Sequence, residues 1–312
     1  MLSQPTIQAV FVIPPKVHLL DITGPAHVFY EAADYGAPLK LWFCNVHKGE
    51  TDVESSSALS FYKLTDFDQL QLNKGDLIIV PGLESILLLD DDFLTSTRAF
   101  QHWLRQQYAA GVTVCSVCTG AFLLAEAGLL NNHECTTHWK YLERFAKGYP
   151  QAKLLTNRLF VKSDGIYTSA GVASGIDLSL HLIEEMFGAN FAAGIAKEVV
   201  VYHRRSEGDP QLSAFLQHRN HLDSRIHTVQ DIISQSIEKR VDIEFLAGQV
   251  YMSPRNLTRL FKKTTQVTIG NYIDRLRKEH ATALIKQGYT RQEAAQSCGL
   301  KSAGRLMKLL AG

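Results

Sequence analysis

Val112-Thr113-Val114-Cys115-Ser116-Val117-Cys118-Thr119-Gly120-Ala121-Phe122 is an apolar, β-branched run that stops at Cys118-Thr119-Gly120 and passes straight into the helix-spaced residues 121–130. A strand that turns this sharply into a helix places the turn residue at the carboxyl edge of a sheet, where open α/β sheets gather their ligand-binding side chains. Outward from this elbow, apolar β-rich runs recur at 7–13, 39–46 and 77–80, with helix-length segments such as 93–108 between them. The alternation predicts an α/β domain, a flavodoxin-like, mostly parallel sheet sandwiched between helices. Residues 159–162 and 165–169, separated by Ser163-Asp164, predict a hairpin. Residues 176–186 predict a helix that ends near Gly188.

Beyond residue 222 the strand signal disappears and apolar residues take helical spacing. Residues 226–239 form a first helix with Ile226, Val229, Ile233 and Ile237 on one face. Residues 242–250 form a second, capped by Asp242, with Ile243, Leu246, Ala247 and Val250 inward. Ser253-Pro254 is a helix start, the serine as cap and the proline at the first helical position. In the helix that follows, 254–263, Leu257, Leu260 and Phe261 point inward, while Arg255, Asn256, Arg259 and Lys262 share the other side. This is a helix-turn-helix whose presented helix is basic, so its first residues are expected to reach base edges and its Lys and Arg to meet phosphate. The pattern returns in outline after a long helix at 268–286. Residues 291–297 and 302–310 flank the turn Cys298-Gly299-Leu300-Lys301, and Lys301, Arg305 and Lys308 are the basic residues of that turn and the helix after it.

Charge divides the chain at the same place. Residues 222–312 hold 15 Lys and Arg against 8 Asp and Glu, and the remainder holds 17 against 23. A basic module on an acidic body points to a polyanion partner at one end. The expected organisation is a ligand-sensing domain at 1–205, a linker at 206–222 through Ser206-Glu207-Gly208-Asp209-Pro210, and a DNA-binding domain at 223–312. With 46% hydrophobic and 20% charged residues the composition is globular. No run reaches the roughly 18 to 20 apolar residues of a membrane span. The short apolar run at 7–13 has no basic residue before it, so a signal peptide is not expected and the compartment reads as cytoplasmic. Five cysteines do not read as a disulfide framework.

The stretches Asp21-Ile22-Thr23-Gly24-Pro25, Pro81-Gly82, Val117-Cys118-Thr119-Gly120-Ala121, Thr136-Thr137-His138-Trp139 and Thr168-Ser169-Ala170-Gly171 resemble the class I glutamine amidotransferase-like superfamily in its PfpI-like branch. From Arg225 onward the chain resembles the AraC-type DNA-binding domain, most specifically from Leu246-Ala247 to Lys262. The two together resemble the GlxA-type transcriptional regulators. The resemblance implies a sequence-specific regulator that binds double-stranded DNA and senses a small nitrogenous metabolite, with a homodimer expected and no cofactor. Asp21, Gly82, Cys118, Thr119 and His138 are the expected ligand-pocket or vestigial-site residues. Ser253, Arg255, Asn256, Arg259, Lys262, Lys301 and Arg305 are the expected DNA-binding residues. The second helix-turn-helix departs from the pattern: Ala294 stands where a bulky apolar residue is usual, Arg291 where an apolar one is, and Gly304 lies inside the presented helix at a cost of about 1 kcal/mol relative to alanine. No closing helix follows it before Gly312, so its share in binding is expected to be smaller.

The elbow also allows chemistry. PfpI-like proteases carry histidine directly after the cysteine, and Thr119 stands there, so peptidase activity is not expected. Cysteine then threonine, with an aspartate after the first strand, resembles the isocyanide hydratases. That keeps open a second reading in which Cys118 is a nucleophile, Asp21 a proton acceptor, and the Thr119 N–H and the Pro81-Gly82-Leu83 loop supply oxyanion donors. At the start of a helix the Cys118 thiol is expected to have a lowered pKa. Cys115 reads as a buried structural thiol, too far along the strand to pair with Cys118. His218 and His221, at i and i+3, lack a carboxylate or cysteine partner, so no metal site is expected. Asp90-Asp91-Asp92 reads as a solvated loop or helix cap.

Overall fold

The computed structural model describes residues 5–201, 205–207, 209–219, 221–239 and 241–311. His203, Arg204 and Gly208, part of the expected polar linker stretch, lie outside the described residues. The chain divides into two compact units, 1–211 and 212–312.

In the first unit β1 (Ile7–Val12), β2 (Leu39–Cys44), β3 (Leu77–Val80), β4 (Thr113–Val117), β5 (Phe160–Ser163) and β6 (Ile166–Ser169) build one six-stranded sheet in the order β2-β1-β3-β4-β6-β5. Its pairings are parallel except for β6 with β5, the expected hairpin. Strands covered on both faces carry apolar residues at both parities. Val10, Val12, Ile78, Val80 and Val114 point into one core with Phe100, Leu104, Phe122 and Leu123. Their neighbours Ala9, Phe11, Ile79, Cys115 and Val117 point into the other, with Val28, Phe29, Leu180 and Ile183. The covering helices are α1 (Leu19–Asp34), α2 (Asp91–Ser96), α3 (Arg98–Ala109), α4 (Gly120–Glu126), α5 (Leu142–Gly148), α6 (Ala173–Phe187) and α7 (Ala189–Glu198). The segment expected to be one helix at 93–108 breaks at Thr97, which caps α3 at φ −86 and ψ 3. The aspartate run starts α2, Asp90 accepting a hydrogen bond from the Asp92 N–H. Arg205 and Gln211 are held on this unit: Arg205 grips Asp177 with two side-chain N–H bonds, and Gln211 Nε2 donates to Thr136 Oγ1 and Thr137 O.

The second unit is helical: α8 (Ala214–Gln217), α9 (Ser224–Gln235), α10 (Ile243–Gln249), α11 (Pro254–Thr265), α12 (Ile269–Lys286), α13 (Arg291–Ser297) and α14 (Ala303–Ala311). Five of these starts have a chemical reason. Asp223, Asp242, Ser253 and Thr268 accept cap hydrogen bonds, and Thr290 with Glu293 forms a capping box. The first half packs Ile226, Val229, Ile233, Leu246, Leu257, Phe261 and Tyr272 into one core. The second half has a smaller one of Ala281, Ala294, Ala295, Cys298, Leu300 and Leu306. Ile243, expected inward, is 39% exposed. It is the first residue of α10 and lies beyond the edge of the core that Leu246 and Ala247 enter. No helix among the described residues is long and apolar enough to cross a membrane.

Candidate functional site

Cys118 follows the last residue of β4 and precedes α4, with φ +57. A non-glycine residue in that region is strained, and strain of this kind persists only where the surroundings impose it. Here two glycines do so. A Cβ on Gly171 would lie 2.4 Å from Cys118 Cβ, and one on Gly82 2.8 Å from the same atom. A Cβ on Gly82 would also lie 2.3 Å from Asp21 Oδ2. Backbone therefore closes on the thiol from two sides. Thr119 fastens one of them, its hydroxyl accepting from Leu83 N–H and donating to Leu83 C=O, each at 3.0 Å. Thr137, from the Thr136-Thr137-His138-Trp139 stretch, donates to the Cys118 carbonyl at 2.9 Å.

Asp21 sits in the first turn of α1 and is fully buried. Its Oδ1 accepts the Val172 N–H at 2.7 Å. Its Oδ2 has no hydrogen-bond partner among the described residues, and the nearest ring nitrogen is Nδ1 of His18 at 3.5 Å. His18 was missed by the sequence reading. Its signal was spacing, three residues before Asp21 at the mouth of a helix, with its backbone N–H held by Gly82 O. The sulfur of Cys118, an Asp21 oxygen and a His18 nitrogen all lie within 4.8 Å of one another. His138 is half-buried beside them, close enough for the charges of Asp21 and His18 to act on it, and burial holds its pKa below the usual histidine value. Its Nδ1 accepts the Lys140 N–H at 3.3 Å, so it also caps the turn Trp139–Tyr141. The structure thus brings Asp21, Gly82, Cys118 and Thr119 together, adds His18, and sets His138 alongside.

One expectation about the thiol is corrected. Burial, then the Asp21 carboxylate, push the Cys118 pKa well above the ordinary thiol range, and the Thr119 N–H and hydroxyl offset only part of this. A helix start favours the thiolate, but α4 has only 7 residues and Cys118 as a residue is 3% exposed. Alkylation of Cys118 should therefore be slow at neutral pH and accelerate steadily into alkaline pH. Asp21→Asn removes the nearby negative charge, lowers the thiol pKa and should speed labelling at pH 7. Peptide mapping by mass spectrometry measures both, and an unchanged or slower rate in the variant would show that Asp21 does not govern the thiol. Cys115 is wholly buried, and the five cysteines are free thiols. His218 is held by Thr265 O and Arg275 Nη1 through its two ring nitrogens, and His221 by Gln230 Oε1.

In the second unit α11 buries Leu257, Phe261 and Thr265 and exposes Arg255, Asn256, Arg259 and Lys262. Ser253 Oγ accepts the Asn256 N–H at 3.4 Å, and Arg259 Nη2 reaches Asn256 Oδ1 at 3.4 Å. Lys301, Arg305 and Lys308 are exposed on α14 and the turn before it.

A DJ-1/PfpI family model matches residues 7–185, and a helix-turn-helix domain model matches 246–310. The chain is 31% identical over 214 residues to the HTH-type transcriptional regulator GbdR of Pseudomonas aeruginosa, covering 68% of this chain and 58% of that one. It is 33% identical over 187 residues to the isonitrile hydratase of Pseudomonas putida, covering 60% of this chain and 75% of that one. Among solved structures, an AraC family transcriptional regulator from Pseudomonas putida superimposes with a TM-score of 0.52 at 18% identity, over 62% of this chain and 99% of that one. The chain belongs to the DJ-1/PfpI family, in the form in which that domain is followed by a helix-turn-helix domain.

Proposed function

We propose that the protein is a sequence-specific transcription regulator that acts in the cytoplasm. Its helix-turn-helix unit holds DNA, and its DJ-1/PfpI unit senses a small nitrogenous metabolite at the Cys118 site. The observation that carries this reading is α11: capped, anchored by Leu257 and Phe261, and presenting four polar or basic side chains to solvent on one face. In this reading Arg255, Asn256 and Arg259 read bases, Lys262, Lys301 and Arg305 meet phosphate, and Ser253 fixes the start of α11. Asp21, Gly82, Cys118, Thr119 and His138 form the sensing site. The likeness to the regulator GbdR over 214 residues supports it. A salt-titrated binding assay on duplexes selected from a random pool, with and without candidate amines and betaines, tests it. Affinity that never exceeds non-specific binding at any salt would sink it.

A homodimer belongs to the same reading. The exposed face of α1 borders an apolar groove lined by Leu20, His27, Tyr30, Phe43, Tyr62 and Ile176, the kind of surface a second copy covers. The same reading puts the joint between the units within 206–222. Light scattering checks the dimer, and limited proteolysis, with its first cut expected between Arg205 and Leu222, checks the joint.

The second reading is a cysteine-centred hydratase with a vestigial DNA module. The convergence of Asp21 on Cys118 and the likeness to the isonitrile hydratase favour it. The raised thiol pKa weighs against a nucleophile in the resting protein. Turnover of an isonitrile that Cys118→Ser abolishes would decide for the enzyme.

A further inference from the structure

Among the described residues, His18, Asp21 and Cys118 are the one group of three side chains whose donor atoms converge as metal ligands do. We propose that they form a three-ligand site for a thiophilic divalent cation of the Zn²⁺ class, with its fourth position open toward the half-exposed rim at His18. The site goes beyond the regulator reading and stands or falls independently of it.

Four observations carry the assignment. The donor set is one sulfur, one imidazole nitrogen and one carboxylate oxygen, the types Zn²⁺ takes in tetrahedral sites. In such a site bond lengths of about 2.0 to 2.3 Å set ligand atoms roughly 3.3 to 3.7 Å apart. Nδ1 of His18 and Oδ2 of Asp21 already stand 3.5 Å apart. The sulfur lies within 4.8 Å of a His18 nitrogen and an Asp21 oxygen, so a shift of roughly 1.5 Å at most brings it to the separation such bond lengths imply. Second, Oδ2 of a fully buried carboxylate lacks a hydrogen-bond partner, which is costly unless something positive meets it.

Third, the ligands are held from behind as metal ligands are. The Val172 N–H fixes Oδ1 and leaves Oδ2 forward, and the His18 backbone is tied to Gly82 O. Val172 itself adopts φ 51 and ψ −114, so strained backbone is spent on orienting this one carboxylate. Fourth, the charges balance. A dication that displaces the thiol proton meets one thiolate, one carboxylate and a neutral imidazole, so the filled site is neutral where an ionised empty one would be anionic. Binding forms the sulfur–metal, nitrogen–metal and oxygen–metal bonds, breaks the S–H bond and releases that single proton to solvent.

The test uses the full chain, stripped with a chelator and titrated with Co²⁺ as the spectroscopic probe and then Zn²⁺. One equivalent of Co²⁺ should raise a thiolate-to-cobalt charge-transfer band with tetrahedral d–d absorption. One proton should be released per ion above the histidine range, and Zn²⁺ should quench the band. Cys118→Ser should abolish the charge-transfer band, and His18→Ala should weaken Co²⁺ binding at least tenfold. His18 is partly exposed at the mouth of α1, so its loss leaves the fold intact, as unchanged tryptophan fluorescence would verify. No band at stoichiometric Co²⁺, a band that survives Cys118→Ser, or an unaltered affinity in His18→Ala would each overturn the site. Specific DNA binding is measured separately, so failure of the regulator reading would leave this result untouched.

Discussion

Arg259→Ala should weaken binding to a selected operator duplex by about 1 to 3 kcal/mol, roughly five- to 150-fold, and relax the preference at one base pair. The helix that carries Arg259 is fixed at both ends of its first turn. Ser253 caps it, Pro254 occupies its first position, and Leu257 and Phe261 lock it to the core, so the exposed side chains leave one face in a defined order. Arg259 is already oriented along that face by Asn256 Oδ1. A guanidinium held this way can meet two acceptors on a purine edge, which a single point charge cannot. Arg255→Ala and Asn256→Ala should show smaller losses of the same kind. The second helix-turn-helix gives the contrast. Its small core of alanines, with Gly304 inside α14, offers a weaker platform for Lys301, Arg305 and Lys308. Replacing all three with alanine should flatten the salt dependence of binding, by a slope of about 0.9 for each lost phosphate contact, with little change in base preference. Fluorescence anisotropy over a salt series reads both effects. Unchanged affinity in all three α11 variants would remove the assignment. A triple variant that loses discrimination as Arg259→Ala does would make the second unit an equal reader.

What the sequence made legible was what local chemistry dictates. The elbow at Cys118 followed from a β-branched run ending in Cys-Thr-Gly, and the helix starts of the second unit followed from Asp242, Ser253-Pro254 and the periodic leucines. The misses have physical causes of their own. Gly188 correctly marked the end of α6, but at φ 89 it also caps α7, so a stop signal concealed a start. Ile243 fits the apolar period of α10, yet periodicity says nothing of where the core ends. The thiol pKa was misjudged because a helix start is visible in sequence, whereas burial and a carboxylate 97 positions away are not. His18 became a site residue only when Gly82 carried the β3 loop over the mouth of α1. Convergence of this kind belongs to topology.

Gly171→Ala should cost the first unit about 2 to 5 kcal/mol and take the Cys118 site with it. Two independent penalties meet at this glycine. Its φ is +105, where an alanine Cβ is strained, worth roughly 1 to 2 kcal/mol. The added Cβ would also lie 2.4 Å from Cys118 Cβ and 2.7 Å from Cys118 Cα. Cα cannot rotate away, so relief must come from moving the strained elbow itself, and overpacking of that kind costs about 1 to 3 kcal/mol. Gly36 separates the two penalties. It has a similar φ of +95 with nothing within 4 Å of an added Cβ, so Gly36→Ala should show the backbone cost alone. The measurement is clean because the three tryptophans, Trp42, Trp103 and Trp139, all belong to the first unit, so their fluorescence in urea reports that unit and not the DNA-binding helices. The midpoint should fall clearly further in Gly171→Ala than in Gly36→Ala. Cys118 should become readily alkylated in the native baseline of the former only, because displacing the elbow opens the enclosed thiol. Equal midpoints in the two variants would mean that the contact with Cys118 relaxes at no cost, and that the elbow is not held in place by the glycine beside it.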